Sequence, residues 1–325
     1  MNLKKLSLIF LALTIGTQTL AANSIEFGFE NEQYEEMYND SDTFNPYVKV
    51  NLNPKKDSPL LLELKYMYFY QYGKNRNEGH DARFKTNKKR IEFFASGYKY
   101  KNNNFTFSPK VGFRFEASDV NRTEKPKSQT DRMLNLRFYP NMTYDINEKV
   151  QLYVSGFVGP QINRVQHGTR KDNSYNPTSK NSAIYWHDWY QEMEVIGIKY
   201  KLDNKDTIWA SLYNEYKRNE YKENYTRWQL RTGYNWNVNS KLSINPFIRY
   251  DLSYVTTNDE ATSDHGKEKD FHETRIGSTV KYKIDPTLTL GGEIYWQNAK
   301  TEDYKGNDNP DKNRMFYKLS ITKAF

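Results

Sequence analysis

Apolar and polar residues alternate with a period of two over many short stretches of this chain. In the clearest stretch, 105–117, one face is mostly aromatic, whereas the other carries Lys110, Arg114 and Glu116. Successive side chains of a β-strand point to opposite faces, so a period of two predicts strands. A soluble core would not bury the charged face. The pattern therefore indicates strands that have lipid on one side and water on the other.

Fourteen segments of this kind are predicted along the chain. They lie at 24–33, 44–53, 60–72, 88–100, 105–117, 132–144, 150–162, 183–200, 207–217, 225–237, 242–255, 271–284, 288–299 and 314–325. An even number suits a single-chain bacterial barrel, whose two termini lie on the same side of the membrane. Segments 88–100 and 183–200 alternate poorly, so bulges there, or a count that is wrong by two, remain open.

The connectors between these segments alternate in length. Those after even strands are short and turn-like, at 54–59, 101–104, 145–149, 202–206, 238–241 and 285–287. Those after odd strands are mostly longer and highly charged, at 73–87, 118–131, 163–182, 256–270 and 300–313. The sequence predicts an all-β fold: a transmembrane antiparallel up-and-down β-barrel with short periplasmic turns and long extracellular loops.

The N-terminus has the layout of a secretory signal peptide. Lys4 and Lys5 precede an apolar stretch, Leu6 to Leu13, and small residues then allow cleavage after Ala21 or Ala22. We therefore expect a signal peptide at 1–21 and the barrel domain at 22–325. The expected location is the bacterial outer membrane.

Composition narrows the class of protein further. Mean hydropathy is −0.96 and 27% of residues are charged, and no apolar window of 18 residues follows the signal peptide, which excludes a bundle of transmembrane helices. Aromatic residues make up 16%, which suits girdles at the membrane interfaces. Cysteine is absent, so disulfides and thiolate metal sites are excluded. Neither a cofactor nor a metal is predicted.

The charged face of the strands predicts the lining of a water-filled lumen. The net charge is +8, or +6 once Lys4 and Lys5 are removed, and we attribute it to a basic lumen or to lipopolysaccharide binding rather than to nucleic acid. Basic rings favour anions, although about half of these charges are expected only to brace the wall as salt bridges. The candidate pore-lining residues are Lys110, Arg114, Glu116, Arg137, Arg227, Arg231, Arg249, Asp251, Glu273, Arg275, Lys281 and Glu293.

The last segment carries a further signal. Tyr317, Leu319, Ile321 and the terminal Phe325 share one strand face. This end resembles the C-terminal signal of bacterial outer-membrane barrels. The resemblance implies recognition by the barrel-assembly machinery and pairing with the first strand to close the barrel.

Taken together, the signal peptide, fourteen alternating strands, long outer loops, terminal Phe and lack of cysteine resemble the OmpG-type fourteen-stranded porins. The chain is similar also to oligogalacturonate channels and to the fusobacterial major outer-membrane porin. The resemblance implies that lumenal Arg and Lys line the pathway, that loop 163–182 gates it, and that the protein is a monomer or a homotrimer. The residues it assigns to the lining are Arg114, Arg137, Arg227, Arg231, Arg249, Arg275 and Lys281.

The predicted function is passive diffusion of ions and small hydrophilic solutes with a weak anion bias. An adhesin or structural barrel is one alternative. A channel selective for acidic oligosaccharides is another, since the arginines together with lumenal Tyr139, Tyr153, Tyr213 and Tyr295 could bind carboxylates and sugar rings.

An enzyme is not expected. An omptin-like protease needs a His-Asp pair at the outer rim, but the adjacent His187 and Asp188 should point to opposite strand faces unless a bulge intervenes. We assign the neighbouring Trp186, Trp189 and Tyr190 to the outer aromatic girdle.

Overall fold

The computed structural model describes residues 23–35, 39–55, 58–75, 82–122, 125–167, 182–219, 223–258, 266–302, 305–309 and 311–325. Within them lie seventeen strands: β1 Ser24–Glu35, β2 Asn39–Leu52, β3 Leu61–Asn75, β4 Ala82–Ser96, β5 Tyr100–Asn102, β6 Phe105–Phe107, β7 Lys110–Arg122, β8 Lys125–Tyr139, β9 Met142–Asp145, β10 Val150–His167, β11 Ser182–Lys201, β12 Thr207–Arg218, β13 Glu223–Asn237, β14 Leu242–Asn258, β15 Glu268–Lys283, β16 Leu288–Thr301 and β17 Lys312–Ala324. Among the described residues no helix is long and apolar enough to cross a membrane. The predicted signal peptide, 1–21, lies outside the described residues.

These strands form the fourteen antiparallel strands of a closed barrel, as predicted. Three wall strands are each interrupted once, so that β4 continues as β5, β6 as β7, and β8 as β9. The interruptions contain Gly97, Pro109 and Pro140. Proline cannot donate to the ladder, and Gly97 has φ +115°, where a Cβ atom would lie 1.7 Å from the Pro59 carbonyl oxygen. The poor alternation of segment 88–100 thus reflects a local break, and the strand count is unaffected.

The barrel closes between its first and last strands. The β1–β17 ladder runs from the pair Ser24 and Ala324 to the pair Glu35 and Asn313. The Phe325 N–H extends it by donating to the Asn23 carbonyl at 3.0 Å. The pairing that the terminal segment implied is therefore confirmed.

The two faces of the wall differ in exposure as the alternation predicted. Large apolar side chains are exposed on the outside, and those of β17 include Tyr317, Leu319 and Ile321. A soluble monomer rarely exposes apolar surface on this scale. The outer face therefore has the character of a lipid-facing surface, and polar side chains turn into the lumen.

One end of the barrel carries the short connectors and the described termini, and we call it the turn end; the other is the loop end. At the turn end Asp206 accepts hydrogen bonds from the backbone N–H of Asn237 at 2.8 Å and from the Tyr234 hydroxyl. The Tyr234 hydrogen bond holds the pKa of Asp206 below its ordinary value. This carboxylate ties the β11–β12 turn to β13.

At the loop end the strands extend well into segments predicted as long loops. The predicted loop 118–131, for example, is mostly strand, since β7 ends at Arg122 and β8 begins at Lys125. The predicted gating loop 163–182 is likewise reduced by β10 and β11, and 168–181 lies outside the described residues. The predicted strands ended where the outward-facing residues ceased to be apolar. Backbone pairing between strands needs no apolar side chain, so the ladders continue past those points.

Gly277 provides room for an aromatic cluster in the lumen. A Cβ atom at this position would lie 2.5 Å from Tyr295 Cβ, 2.5 Å from the Ile294 carbonyl oxygen and 2.8 Å from Phe247 Cζ. Phe247 and Tyr295 pack with Phe316, and the Tyr295 and Phe316 rings stack with centroids 4.6 Å apart. The absent side chain is therefore a packing requirement of this part of the wall.

We predict that Gly277→Ala lowers the free energy of unfolding by about 1–3 kcal/mol, because the methyl group must displace backbone or ring atoms. Gly292→Ala is the matched control, since its Cβ atom would meet ordinary contacts at 3.7 Å and 3.8 Å. Urea unfolding of both variants in lipid vesicles provides the measurement. Equal stability of the two variants would contradict the packing assignment.

Candidate functional site: the barrel lumen

The twelve residues predicted to line the pore all lie in the lumenal phase of their strands. Eight form ion pairs among the described residues: Lys110, Arg114, Glu116, Arg227, Arg231, Asp251, Glu273 and Arg275. No ion pair is found in the described part of the chain for Arg137, Arg249, Lys281 or Glu293. More of the charges brace the wall than the half that was expected.

Arg227 is the centre of the largest group of paired charges, the Arg227 cluster, which also contains Glu215, Asp251 and Glu273. Its guanidinium lies 2.7 Å from the Asp251 carboxylate, 2.6 Å from that of Glu273 and 3.8 Å from that of Glu215. These four residues come from the neighbouring strands β12 to β15. One guanidinium thus links four strands of the wall across the lumen face.

Asp251 has a second role, which the sequence did not indicate. The β14–β15 register shifts between Tyr250 and Val255, and this bulge interrupts the ladder. The Asp251 carboxylate accepts the backbone N–H of Glu273 at 2.8 Å and the Gln229 side-chain amide at 2.9 Å. A residue predicted only to line the pore therefore also supplies a ladder hydrogen bond at the bulge.

A second set of ion pairs braces the opposite part of the wall. Arg90 lies 2.6 Å from Glu116, and Arg114 lies 2.6 Å from Glu92. Lys110 lies 3.5 Å from Glu63. Arg90 and Glu92 were missed as lumenal residues because they belong to segment 88–100, whose alternation is poor.

Aromatic rings support many of the lumenal cations. The Arg231 guanidinium lies 3.2 Å from the centroid of Tyr213, and that of Arg275 lies 4.4 Å from the centroid of Tyr295. Both tyrosines are only 4% exposed. Such contacts hold a guanidinium in one orientation. They also cover two of the four rings that could have stacked on sugars.

The remaining two of those four rings are also engaged. Tyr139 packs edge-on against Phe94 and is tilted against Phe157, and Tyr153 lies under the Lys199 ammonium at 4.6 Å. The lumen therefore presents guanidinium and ammonium groups where the acidic-sugar hypothesis needs open ring faces.

An open cavity of about 340 Å³ lies inside the barrel. Its lining includes Arg90, Arg114, Glu116 and Arg137, together with residues of β10 to β13. Arg137 is only 5% exposed, stacks 3.7 Å from the Phe157 centroid, and donates to Asn135 at 2.6 Å. The cavity is large enough for several water molecules and its lining is polar, so it is suited to hold water.

His187 and Asp188 do not form a His-Asp pair at the rim. The β10–β11 register does shift between Gln161 and Asn163, next to His187 and Asp188. However, Asp188 is buried and accepts the Asn163 side-chain amide, whereas His187 is exposed. Among the described residues no group of three or more acidic or histidine side chains could hold a metal ion.

The assignment of Tyr190 to the outer aromatic girdle was wrong. Its hydroxyl donates to Glu192 at 2.5 Å and lies 2.9 Å from Glu215, and its ring packs against Phe157 inside the lumen. Register shifts in β11 reset its phase, which the simple alternation of 183–200 could not reveal.

No family model matches this chain, and no curated protein matches its sequence. Solved structures do match its fold. The monoaromatic hydrocarbon channel CymD has a TM-score of 0.52 and 9% identity, with 95% of this chain and 90% of that chain covered. The Pseudomonas putida toluene transporter TodX has a TM-score of 0.51 and 8% identity, with 94% and 90% covered. CdiB from Escherichia coli has a TM-score of 0.52 and 9% identity, with 94% and 64% covered.

At these identities the likeness shows the fold alone. The chain has the fold of a closed fourteen-stranded antiparallel β-barrel, which resembles that of outer-membrane channels. An OmpG-type porin in particular, which the sequence suggested, is a finer assignment than these matches support.

We predict that Arg227→Gln lowers the free energy of unfolding by about 3 kcal/mol, because it leaves several carboxylates together without their shared cation. Lys149→Gln is the control, since Lys149 pairs with Asp203 at 2.7 Å on an exposed turn, where a pair contributes less than about 1 kcal/mol. The comparison is made by urea unfolding in vesicles. A loss in Arg227→Gln no larger than that in the control would show that the cluster does not stabilise the wall.

Proposed function

We propose that this chain forms an outer-membrane channel through which ions and small hydrophilic solutes diffuse passively, with a weak preference for anions. The observation that carries the proposal is the charged lumenal face, on which Arg137, Arg249 and Lys281 have no ion pair among the described residues. Glu293 is the one acidic pore-lining candidate that also has no ion pair among the described residues. Unpaired charges of this kind need water around them, and their excess positive sign raises the local concentration of anions.

Transport of hydrocarbons has less support, although CymD is named a monoaromatic hydrocarbon channel and TodX a toluene transporter. Apolar solutes would need a continuous apolar lining. In this lumen the apolar rings Phe94, Phe157 and Phe247 lie beneath Lys110, Arg137 and Arg249. Transfer of an apolar solute past these cations would displace their hydration with no compensating contact.

An acidic-oligosaccharide channel, an adhesin and a rim enzyme also have less support than passive diffusion. The oligosaccharide channel shares the basic lining, but the tyrosines that it needs are covered by cations or packed against rings. An adhesin or structural barrel needs no aqueous path, and a rim enzyme needs a catalytic pair that His187 and Asp188 do not provide. We therefore propose a channel without enzymatic activity.

The proposal also covers the location of the protein in the outer membrane, its partners and its oligomeric state. The exposed apolar wall would contact outer-membrane lipid and lipopolysaccharide. During insertion the barrel-assembly machinery would recognise the C-terminal signal, which consists of Tyr317, Leu319, Ile321 and Phe325. A monomer and a homotrimer are both compatible with one lumen per chain.

We expect refolded protein without residues 1–21 to give stable conductance steps in a planar bilayer. Under a KCl gradient the reversal potential should shift modestly toward that of chloride. Heat-unfolded protein from the same preparation serves as the control. Folded protein that never conducts would contradict the proposal and favour an adhesin, whereas block by acidic oligosaccharides, but not by simple anions, would favour the selective channel.

A further inference from the structure

Three arginines occupy directly opposed positions on three adjacent strands. Arg231 of β13 pairs in register with Arg249 of β14, and Arg249 pairs with Arg275 of β15. We call these residues the arginine row. Side chains directly opposite each other on neighbouring strands start about 5 Å apart, so like charges there repel. A wall under no functional constraint would gain stability from an uncharged polar residue at the central position.

The two outer arginines of the row lean away from the central one and are neutralised. Arg231 contacts Tyr213 of β12 and pairs with Glu194 of β11 at 2.9 Å. Arg275 lies on the other side, over Tyr295 of β16, and pairs with Glu273 at 3.1 Å. Each outer arginine therefore already has a carboxylate, and Arg275 shares Glu273 with Arg227.

Arg249 differs from both neighbours. Among the described residues its guanidinium has neither an ion pair nor a hydrogen bond, and its Nε atom is buried without a partner. It lies 4.9 Å from the centroid of Phe247, which packs with Tyr295 and Phe316 and so fixes the base of the side chain. Glu293 of β16 carries a negative charge on the lumenal face but forms no ion pair with Arg249. The terminal Nη donors of Arg249 therefore have no partner among the described residues.

We propose that Arg249 binds the oxyanion group, carboxylate or phosphate, of solutes that pass through the lumen. This inference rests on the proposed channel function and identifies a solute class for it. A guanidinium binds such groups through two parallel N–H···O bonds, which a chloride ion cannot accept in the same way. The outer arginines of the row add positive potential without competing for the ligand, because their own donors are already engaged. Binding at one unpaired residue is weak enough to permit release, which transport requires.

The test measures block of the chloride current by inorganic phosphate and, separately, by acetate. We expect block in the unaltered protein and an apparent affinity about tenfold or more weaker in Arg249→Gln, since a charge-assisted hydrogen bond is lost. Lys49→Gln removes one lumenal cation of β2, outside the arginine row, and should leave the affinity within about twofold. Stronger block by phosphate than by acetate assigns the site to phosphorylated solutes, and the reverse order assigns it to carboxylates.

A loss of affinity could also follow from misfolding, so a variant expected to gain affinity completes the design. Glu293→Gln removes the acidic charge that acts on Arg249 and should tighten phosphate block. If Arg249→Gln and Lys49→Gln weaken block equally, the lumen acts only through its total charge and the inference is wrong. No tightening of block in Glu293→Gln would also contradict the inference.

Binding is also measured without transport, by phosphorus-31 line broadening of phosphate with folded protein in detergent micelles. If the protein does not conduct but the broadening depends on Arg249, the result contradicts the channel proposal and supports the binding site. Conductance with no broadening that depends on Arg249 would remove the site and retain the channel.

Discussion

The structure depends on one constraint: inside a membrane, every backbone N–H and C=O must find a partner within the protein. The ladder between β1 and β17 meets this constraint by leaving the wall without a free edge. Closure also fixes which face each residue takes. Since the side-chain period is two, a shift of one residue in a ladder would turn the charged face of that strand into lipid. The apolar outer face and the charged lumen are thus consequences of the same ladder.

Once the charges face inward, their mutual arrangement decides what the lumen can do. Arg227 holds Glu215, Asp251 and Glu273 together, and such a cluster stabilises the wall. Arg249 has the opposite character, because its neighbours in register are both cations. The proposed anion preference therefore depends on the few side chains left without partners. The number of basic residues in the lumen is a poor guide to it.

The strand number and the inward phase could be predicted from the sequence, because lipid requires an apolar residue at every second position. Arg114, Arg231 and Glu273 were placed on the lumenal face on that ground alone. Their partners could not be predicted. Ion pairing between strands depends on register, and the register is set by turns and bulges that hydrophobicity does not report. The bulge that turns Asp251 toward the Glu273 backbone and the shifts that bring Tyr190 into the lumen are of this kind. The strand ends at the loop end were missed for a related reason. Apolar and polar residues alternate only where the wall contacts lipid, whereas the strands continue beyond the membrane into water.

The most direct test of this account uses single cysteines, because the natural chain contains none. Thr279→Cys and Lys281→Cys place a thiol in the lumenal phase of β15, and Ile276→Cys and Val280→Cys place one on its exposed apolar face. In vesicles, a charged thiol reagent that cannot cross lipid should modify the first pair and spare the second. Protection of all four positions would mean that the lumen is sealed from water, and modification of the second pair alone would mean that the wall faces the other way.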